Sequence, residues 1–378
     1  MPYLNIAICC VAYNRPDSLK NLLDSLSDSY YPHDVPLIIS IDYSGKNDVE
    51  SFAKGYEWKY GEKRIIAHEK NLGLRNHILS CGDLLKEYDA VIILEDDVVV
   101  APSYFYFTEQ CVEKYKDDDT IAGISLFSFP LNHYNQVPFY PLKSDSDVYL
   151  MKIAQSWGQV WMKKSWKAFR EWYDRNNEEF EVMPHLPEKI CHWPKTSWLK
   201  YHVRYCIEND KYFVYPYDSM TTDNVVPGVH CQTVTTYEQA HLLYGKKTQF
   251  ALNPTVKYDG FFENEAIPEW LGIDTKEICV DFFGYNKNRV NKRYLLTREV
   301  LPYKIVKSFA LQMKPYEWNI IKNVAGNDLF LYDTTIAEKR KAEDRTIEFA
   351  RYIYPLTNAR GVVSSGLKFQ IKKLLKLK

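Results

Sequence analysis

No apolar run in the 378 residues approaches the roughly 20 needed to span a bilayer. The first fourteen residues hold a short apolar stretch without a basic lead, so a secretory signal is not expected. Among the cysteines (Cys9, Cys10, Cys81, Cys111, Cys191, Cys206, Cys231, Cys279) there is no C-x-x-C pair, which argues against a zinc ribbon and a dithiol redox motif. Thiols scattered through a chain of this length are expected to be buried and reduced. No N-x-S/T acceptor occurs, since Asn253 precedes Pro254. These absences fit the cytoplasm. Neither sign of charge dominates: 48 Lys+Arg against 49 Asp+Glu leave a net −1, which excludes a protein that grips nucleic acid over its whole surface. With 46% hydrophobic residues a mainly disordered chain is excluded as well. Gly (15) and Pro (18) are too few for a collagen-like or linker sequence, and no repeat or low-complexity tract is present.

What is present is an alternation of strand and helix patterns. Residues 4–12 form a short apolar run. Asn14-Arg15-Pro16-Asp17 then reads as a helix start, followed by Leu19, Leu22, Leu23 and Leu26 at helical spacing. Residues 36–42 predict a second strand ending in Asp42, residues 64–68 a weaker third, and residues 74–86 a helix. Residues 89–100 hold the strongest strand, whose front half is unbroken β-branched and aliphatic, as expected for a strand buried on both faces. Strands alternating with helices predict an α/β fold with a mostly parallel sheet. Three parts are expected: 1–130, an aromatic-rich 131–255, and an extension 256–378 expected to be helical. The extension is basic in 289–314, and again in 360–378, where Leu367, Ile371, Leu374 and Leu375 share one helical face. That tail fits either a helix on an anionic membrane surface or a frayed basic terminus.

Glu95-Asp96-Asp97 follows directly on the strongest strand. Burying these carboxylates unpaired would cost several kcal/mol each. They are therefore expected at the exposed C-terminal end of the strand, where an open parallel sheet binds ligands. Continued as a strand, the chain would turn Glu95 and Asp97 to one side and Asp96 to the other. Hard carboxylate oxygens suit Mg²⁺ or Mn²⁺. Asp42 and Arg15 would line the same edge. Carboxylates, a metal and an arginine together suit a nucleoside diphosphate.

The order of these motifs resembles the glycosyltransferases of the GT-A fold. It is similar to bacterial family 2 members and, more distantly, to N-acetylglucosaminyltransferase I. The resemblance is carried by Ala12-Tyr13-Asn14-Arg15, Ser40-Ile41-Asp42, Asn71-Leu72-Gly73-Leu74-Arg75, and Leu94-Glu95-Asp96-Asp97 with Ala101-Pro102-Ser103-Tyr104-Phe105. Further along it is carried by Ser156-Trp157-Gly158-Gln159-Val160-Trp161 and by Tyr215-Pro216 through Gly228-Val229-His230-Cys231. It implies a metal-dependent transferase that moves a sugar from a nucleotide-diphospho-sugar, a UDP-sugar foremost, to a glycan or lipid-linked glycan of a surface polysaccharide, with inversion at C1. It implies that Asp97 ligates Mn²⁺ or Mg²⁺ and that Glu95 and Asp96 meet the donor sugar and ribose. Arg15, Asp42 and Arg75 would complete the donor site. His230 is either a second metal contact or structural. Trp157 and Trp161 either stack on sugar at the acceptor side or belong to the core.

One position departs from the pattern. Inverting relatives place an aspartate, the general base, at or just after a tryptophan that opens a helix. Here Leu199 and Lys200 follow Trp198. The base is therefore unassigned, with Glu188, Asp210 and Asp223 as acids of the region, Asp223 and Glu188 foremost, and a neutral Lys200 as a further reading. The gap leaves a non-catalytic carbohydrate- or nucleotide-binding protein on the same fold as the alternative. A nucleotidyltransferase would show a Gly-rich basic loop after the first strand, which Ala12-Tyr13-Asn14-Arg15 is not.

Overall fold

The computed structural model describes residues 3–224, 238–282, 284–289, 291–340 and 359–375. In chain order the strands are β1 (Ile6–Ala12), β2 (Leu37–Ile41), β3 (Lys63–Ala67), β4 (Ala90–Glu95), β5 (Val98–Val100), β6 (Ile121–Ser125), β7 (Val148–Met151), β8 (Gln159–Met162), β9 (Tyr212–Pro216), β10 (Thr221–Asp223), β11 (Lys257–Tyr258), β12 (Ile278–Asp281), β13 (Tyr294–Thr297), β14 (Tyr303–Phe309) and β15 (Leu329–Ala337). The helices are α1 (Pro16–Ser27), α2 (Asp48–Gly55), α3 (Gly73–Gly82), α4 (Tyr104–Tyr115), α5 (Lys163–Tyr173), α6 (Glu188–Cys191), α7 (Leu199–Glu208), α8 (Ile267–Leu271), α9 (Glu317–Ile321) and α10 (Ala359–Leu374).

A nine-stranded sheet in the order β11-β7-β9-β6-β8-β4-β1-β2-β3 organises residues 6–258. Its β4-β1-β2-β3 half is parallel throughout, and β8 joins β4 antiparallel. The mostly parallel α/β sheet expected from the sequence is thus present. Strand β1 is buried along its whole length because both faces are covered. Ile6, Ile8, Cys10 and Ala12 enter one core, with Leu19, Leu22, Leu23 and Leu26 of α1. Ala7, Cys9 and Val11 enter the other, with the aromatic residues of α5 and α7. Each of the four α1 leucines is fully buried, which contributes about 1.5–3 kcal/mol apiece. Seven of the cysteines are free and buried, and Cys231 lies outside the described residues.

Within 89–100, β4 stops at Glu95, the chain turns at Asp96-Asp97, and β5 pairs antiparallel with β10 in a separate small sheet. The carboxylates thus stand at the C-terminal end of β4, where Arg15 meets both aspartates of the turn. One expectation needs correction: the extension is not simply helical. It holds a four-stranded sheet, β12-β13-β15-β14, with short helices α8 and α9, before α10. Part of its basic charge is consumed there. Arg289 Nη1 lies 3.0 Å from Glu299 and its Nη2 2.5 Å from Asp281, while Arg293 pairs with Asp333 at 2.9 Å. Among the described residues no helix is long and apolar enough to cross a membrane.

Candidate active site

Parallel register decides which side chains meet. Ala12 pairs with Ile41, and Val11 with Glu95, so β1, β2 and β4 end together. The residues just beyond those ends are Arg15, Asp42 and Asp96-Asp97, and they share one edge of the sheet.

At that edge one guanidinium nitrogen bridges two carboxylates. Arg15 Nη2 donates to Asp96 Oδ1 and, at 3.0 Å, to Asp97 Oδ2. Three polar atoms of the same trio, Arg15 Nη1, Asp96 Oδ2 and Asp97 Oδ1, are buried and have no hydrogen-bond partner among the described residues. Leaving them so costs roughly 1–3 kcal/mol each, more where charge is involved. Burial pushes the Asp96 carboxyl up to about 6, with Arg15 holding it down against that push. Burial raises Glu95 well above the usual carboxylate range, and the neighbouring Asp97 and Asp96 add to it. The site is thus an incomplete polar cluster, one cation against three carboxyls, with donor and acceptor capacity unused.

Those unused oxygens test the expected metal. Among the described residues no group of three or more His, Cys, Asp or Glu could hold an ion. Two hard carboxylate oxygens do fit the other common arrangement. There, Mg²⁺ or a similar cation is held by one or two carboxylates, by water and by the phosphates of its substrate. Asp96 Oδ2 and Asp97 Oδ1 are the donors available. His230 lies outside the described residues.

Asp42 is buried and largely committed to structure. Its Oδ1 accepts the N–H groups of Leu72 (2.8 Å) and Tyr43 (2.9 Å), and its Oδ2 that of Gly73 (3.0 Å). It thereby fastens the end of β2 to the first turn of α3. Gly73 takes φ +74° there, a conformation open to glycine and costly for other residues. The Asn71-Leu72-Gly73 motif is explained by this junction.

Arg75 does not join the donor edge. It is spread over the aromatic half of the molecule. Its guanidinium donates to Tyr173 Oη, to Tyr201 Oη (3.3 Å) and to the carbonyls of Lys195 (3.1 Å) and Asn177 (2.6 Å). It also stacks 4.3 Å above the Tyr201 ring. The resemblance implies a donor role for Arg75; in the structure it clasps α3 to α5, α7 and the segment between them.

Of the two readings of Trp161, the core one matches its position. It is fully buried and stacked on Trp166 with ring centroids 4.2 Å apart, so no face is open to a sugar. Trp157 is half-buried with its ring edge-on to Phe127, and it remains next to the edge. Its carbonyl accepts the Thr221 hydroxyl at 2.5 Å. Gly158 permits that approach: it has φ +92°, and a Cβ would stand 2.7 Å from Thr221 Cγ2.

Through Thr221 the structure brings in a strand that local pattern could not reveal. β10 lies antiparallel to β5 with Asp223 opposite Val98, and Asn224 N–H donates to the Asp97 carbonyl at 2.7 Å. Asp223 is therefore a direct neighbour of the carboxylate turn. Glu188 is exposed at the head of the short helix α6 and makes no side-chain bond to the Arg15–Asp96–Asp97 trio. Lys200 is fully buried, with Nζ donating to the carbonyls of Cys191 (3.3 Å) and Trp193 (3.0 Å) and lying 4.4 Å from the Phe180 ring. Burial lowers its ammonium pKa, yet its position is structural.

Residues 7–178 match the model of Glycosyl transferase family 2, a span that runs from β1 past α5 and contains the whole carboxylate edge. No curated protein sequence matches the chain. Among solved structures, the mannosyltransferase PcManGT from Pyrobaculum calidifontis, in complex with GDP-Man and Mn²⁺, is similar at 13% identity and TM-score 0.39, over 60% of this chain and 58% of that one. S. aureus TarS 1–349 in complex with UDP-GlcNAc is similar at 12% identity and TM-score 0.38, over 61% and 62%. GalNAc-T7 with UDP, GalNAc and Mn²⁺ is similar at 12% identity and TM-score 0.40, over 57% and 42%. The chain spans about three fifths of the first two of these proteins.

Proposed function

Taking residues 7–178 as a family 2 glycosyltransferase segment, we propose that the chain transfers a sugar from a nucleotide-diphospho-sugar, a UDP-sugar foremost, to a hydroxyl of a growing glycan. The observation that carries this reading is the buried trio at the sheet edge, in which Arg15 Nη1, Asp96 Oδ2 and Asp97 Oδ1 have unused bonding capacity. A diphosphate with a divalent cation supplies the complementary set, anionic oxygens for the arginine and positive charge for the carboxylates.

Within this reading Asp96 and Asp97 hold Mn²⁺ or Mg²⁺, which when bound supplies positive charge to the leaving diphosphate. Arg15 orients the diphosphate and holds the Asp96 carboxyl down against the push of burial. Asp42 holds the β2–α3 junction against which the nucleoside lies. Asp223, on the strand beside Asp97, is better placed than Glu188 to accept the proton of the attacking hydroxyl. A glycan of a surface polysaccharide is the acceptor that the family resemblance implies, and the cytoplasm the compartment where such donors are found.

The test is release of free nucleoside diphosphate from a panel of nucleotide sugars with Mn²⁺. One donor is expected to turn over. Asp97→Asn is expected to weaken UDP binding in Mn²⁺ by at least about tenfold while the melting temperature holds. Unchanged affinity in that variant refutes the metal assignment. Tight UDP binding with no turnover of any donor, acceptor supplied, supports the binding-only reading instead.

A further inference from the structure

We propose that α10 lies on an anionic phospholipid bilayer, with its apolar side in the headgroup–acyl boundary and its bases at the level of the lipid phosphates. The proposal concerns attachment and is independent of the donor chemistry.

Every described side chain of α10 is exposed. Val363, Leu367, Ile371 and Leu374, with Leu375 just beyond, are between 47% and 81% exposed. At about 100° per residue these five positions fall within an arc of roughly 120°, with Lys368 at its border. An aliphatic stripe that the other described residues leave uncovered marks a contact surface.

Charge selects what covers it. From residue 349 to 378 there are seven Lys/Arg and no Asp/Glu, while the first 348 residues carry 41 bases against 49 acids. An anionic surface therefore attracts this segment and repels the remainder of the chain. Attraction is confined to the helix, because charges further than a Debye length of about 8 Å contribute little at physiological salt. Each base near such a surface adds to the binding, and the aliphatic arc supplies the burial that charge alone lacks. A second copy of the helix fits less well, since two segments with seven bases and no acid repel each other. The 16 described residues of the helix reach about 24 Å, short of a hydrocarbon core of about 30 Å.

The test is co-sedimentation of the full chain with vesicles of phosphatidylcholine alone and with about 30% phosphatidylglycerol added. Binding is expected only to the anionic vesicles, falling at least about tenfold between 0.1 and 0.5 M NaCl. Leu367→Glu with Ile371→Glu is expected to lower it by at least about tenfold, with the melting temperature unchanged because these side chains are exposed. Equal binding to both vesicles, no binding to either, or full binding by the double variant overturns the proposal. So does a dimer in solution that the double variant abolishes without any vesicle binding, which would assign the stripe to a second copy. None of these readouts requires a nucleotide or turnover, so failure here and failure of the transferase reading are separable.

Discussion

Arg75→Ala separates two meanings of one arginine. If Arg75 holds the donor, its loss weakens nucleotide binding and spares the fold. The structure requires the reverse. The guanidinium bonds two tyrosine hydroxyls and two main-chain carbonyls and covers the Tyr201 ring. Each hydrogen bond contributes about 0.5–1.5 kcal/mol net, taken at the low end because the side chain is only half-buried. The ring contact adds about 0.5–1 kcal/mol. Truncation is therefore expected to cost about 3 kcal/mol, a fall of roughly 4 °C in Tm for a chain of 378 residues. The loss is local as well: the carbonyls of Asn177 and Lys195 are freed, so amide exchange in residues 174–198 is expected to rise first. UDP affinity in Mn²⁺, read by calorimetry, is expected to change by less than about threefold. Arg75→Lys is expected to restore less than half of the lost stability, because an ammonium cannot reproduce the planar fork. A tenfold loss of UDP affinity at unchanged Tm and unchanged exchange refutes the clasp.

Gly158→Ala combines a positive φ with a contact on Thr221, a strain of about 1–3 kcal/mol, and is expected to lower both Tm and UDP affinity by loosening β10 from β5. Gly82→Ala, whose Cβ would meet the Trp166 ring at 2.2 Å, is expected to lower Tm alone; equal effects of the two on UDP affinity would refute the role given to β10. Lys200→Met is expected to cost about 1–3 kcal/mol of stability and to leave donor turnover within about threefold, whereas abolished turnover at intact fold would make Lys200 the base. His202 is enclosed by aromatic rings, stacked 4.1 Å from Phe169, and burial pushes its pKa down to about 3. With about 6.5 in the unfolded chain, the unfolded state binds the extra proton as pH falls, so this histidine withdraws stability below pH 6.5 at about 1.4 kcal/mol per pH unit. His202→Phe is expected to gain about 2 kcal/mol on the parent between pH 8 and pH 5, measured by urea unfolding; parallel pH profiles refute it.

The α/β class and the position of the carboxylate edge were legible in sequence. They rest on local and periodic signals: apolar runs such as 4–12 and 89–94, the leucine spacing of α1, and strand ends marked by Asp42 and Glu95-Asp96-Asp97. A parallel sheet turns those strand ends into neighbours by register alone. What Arg75, Trp161 and Lys200 do was not legible, because a long or aromatic side chain near a motif has the same local pattern whether it faces a ligand or a core. Only the packing of α3, α5 and α7 decided that Arg75 clasps, that Trp161 stacks on Trp166 and that Lys200 is caged by carbonyls. The turn at Asp96-Asp97 was decided the same way. Local β-propensity favours Val98–Val100 as a continuation of β4, and their pairing with β10 takes them into a separate sheet instead. The pairing of β10 with β5, across more than a hundred residues of sequence, has no local signal at all, and it is this pairing that brings Asp223 beside Asp97.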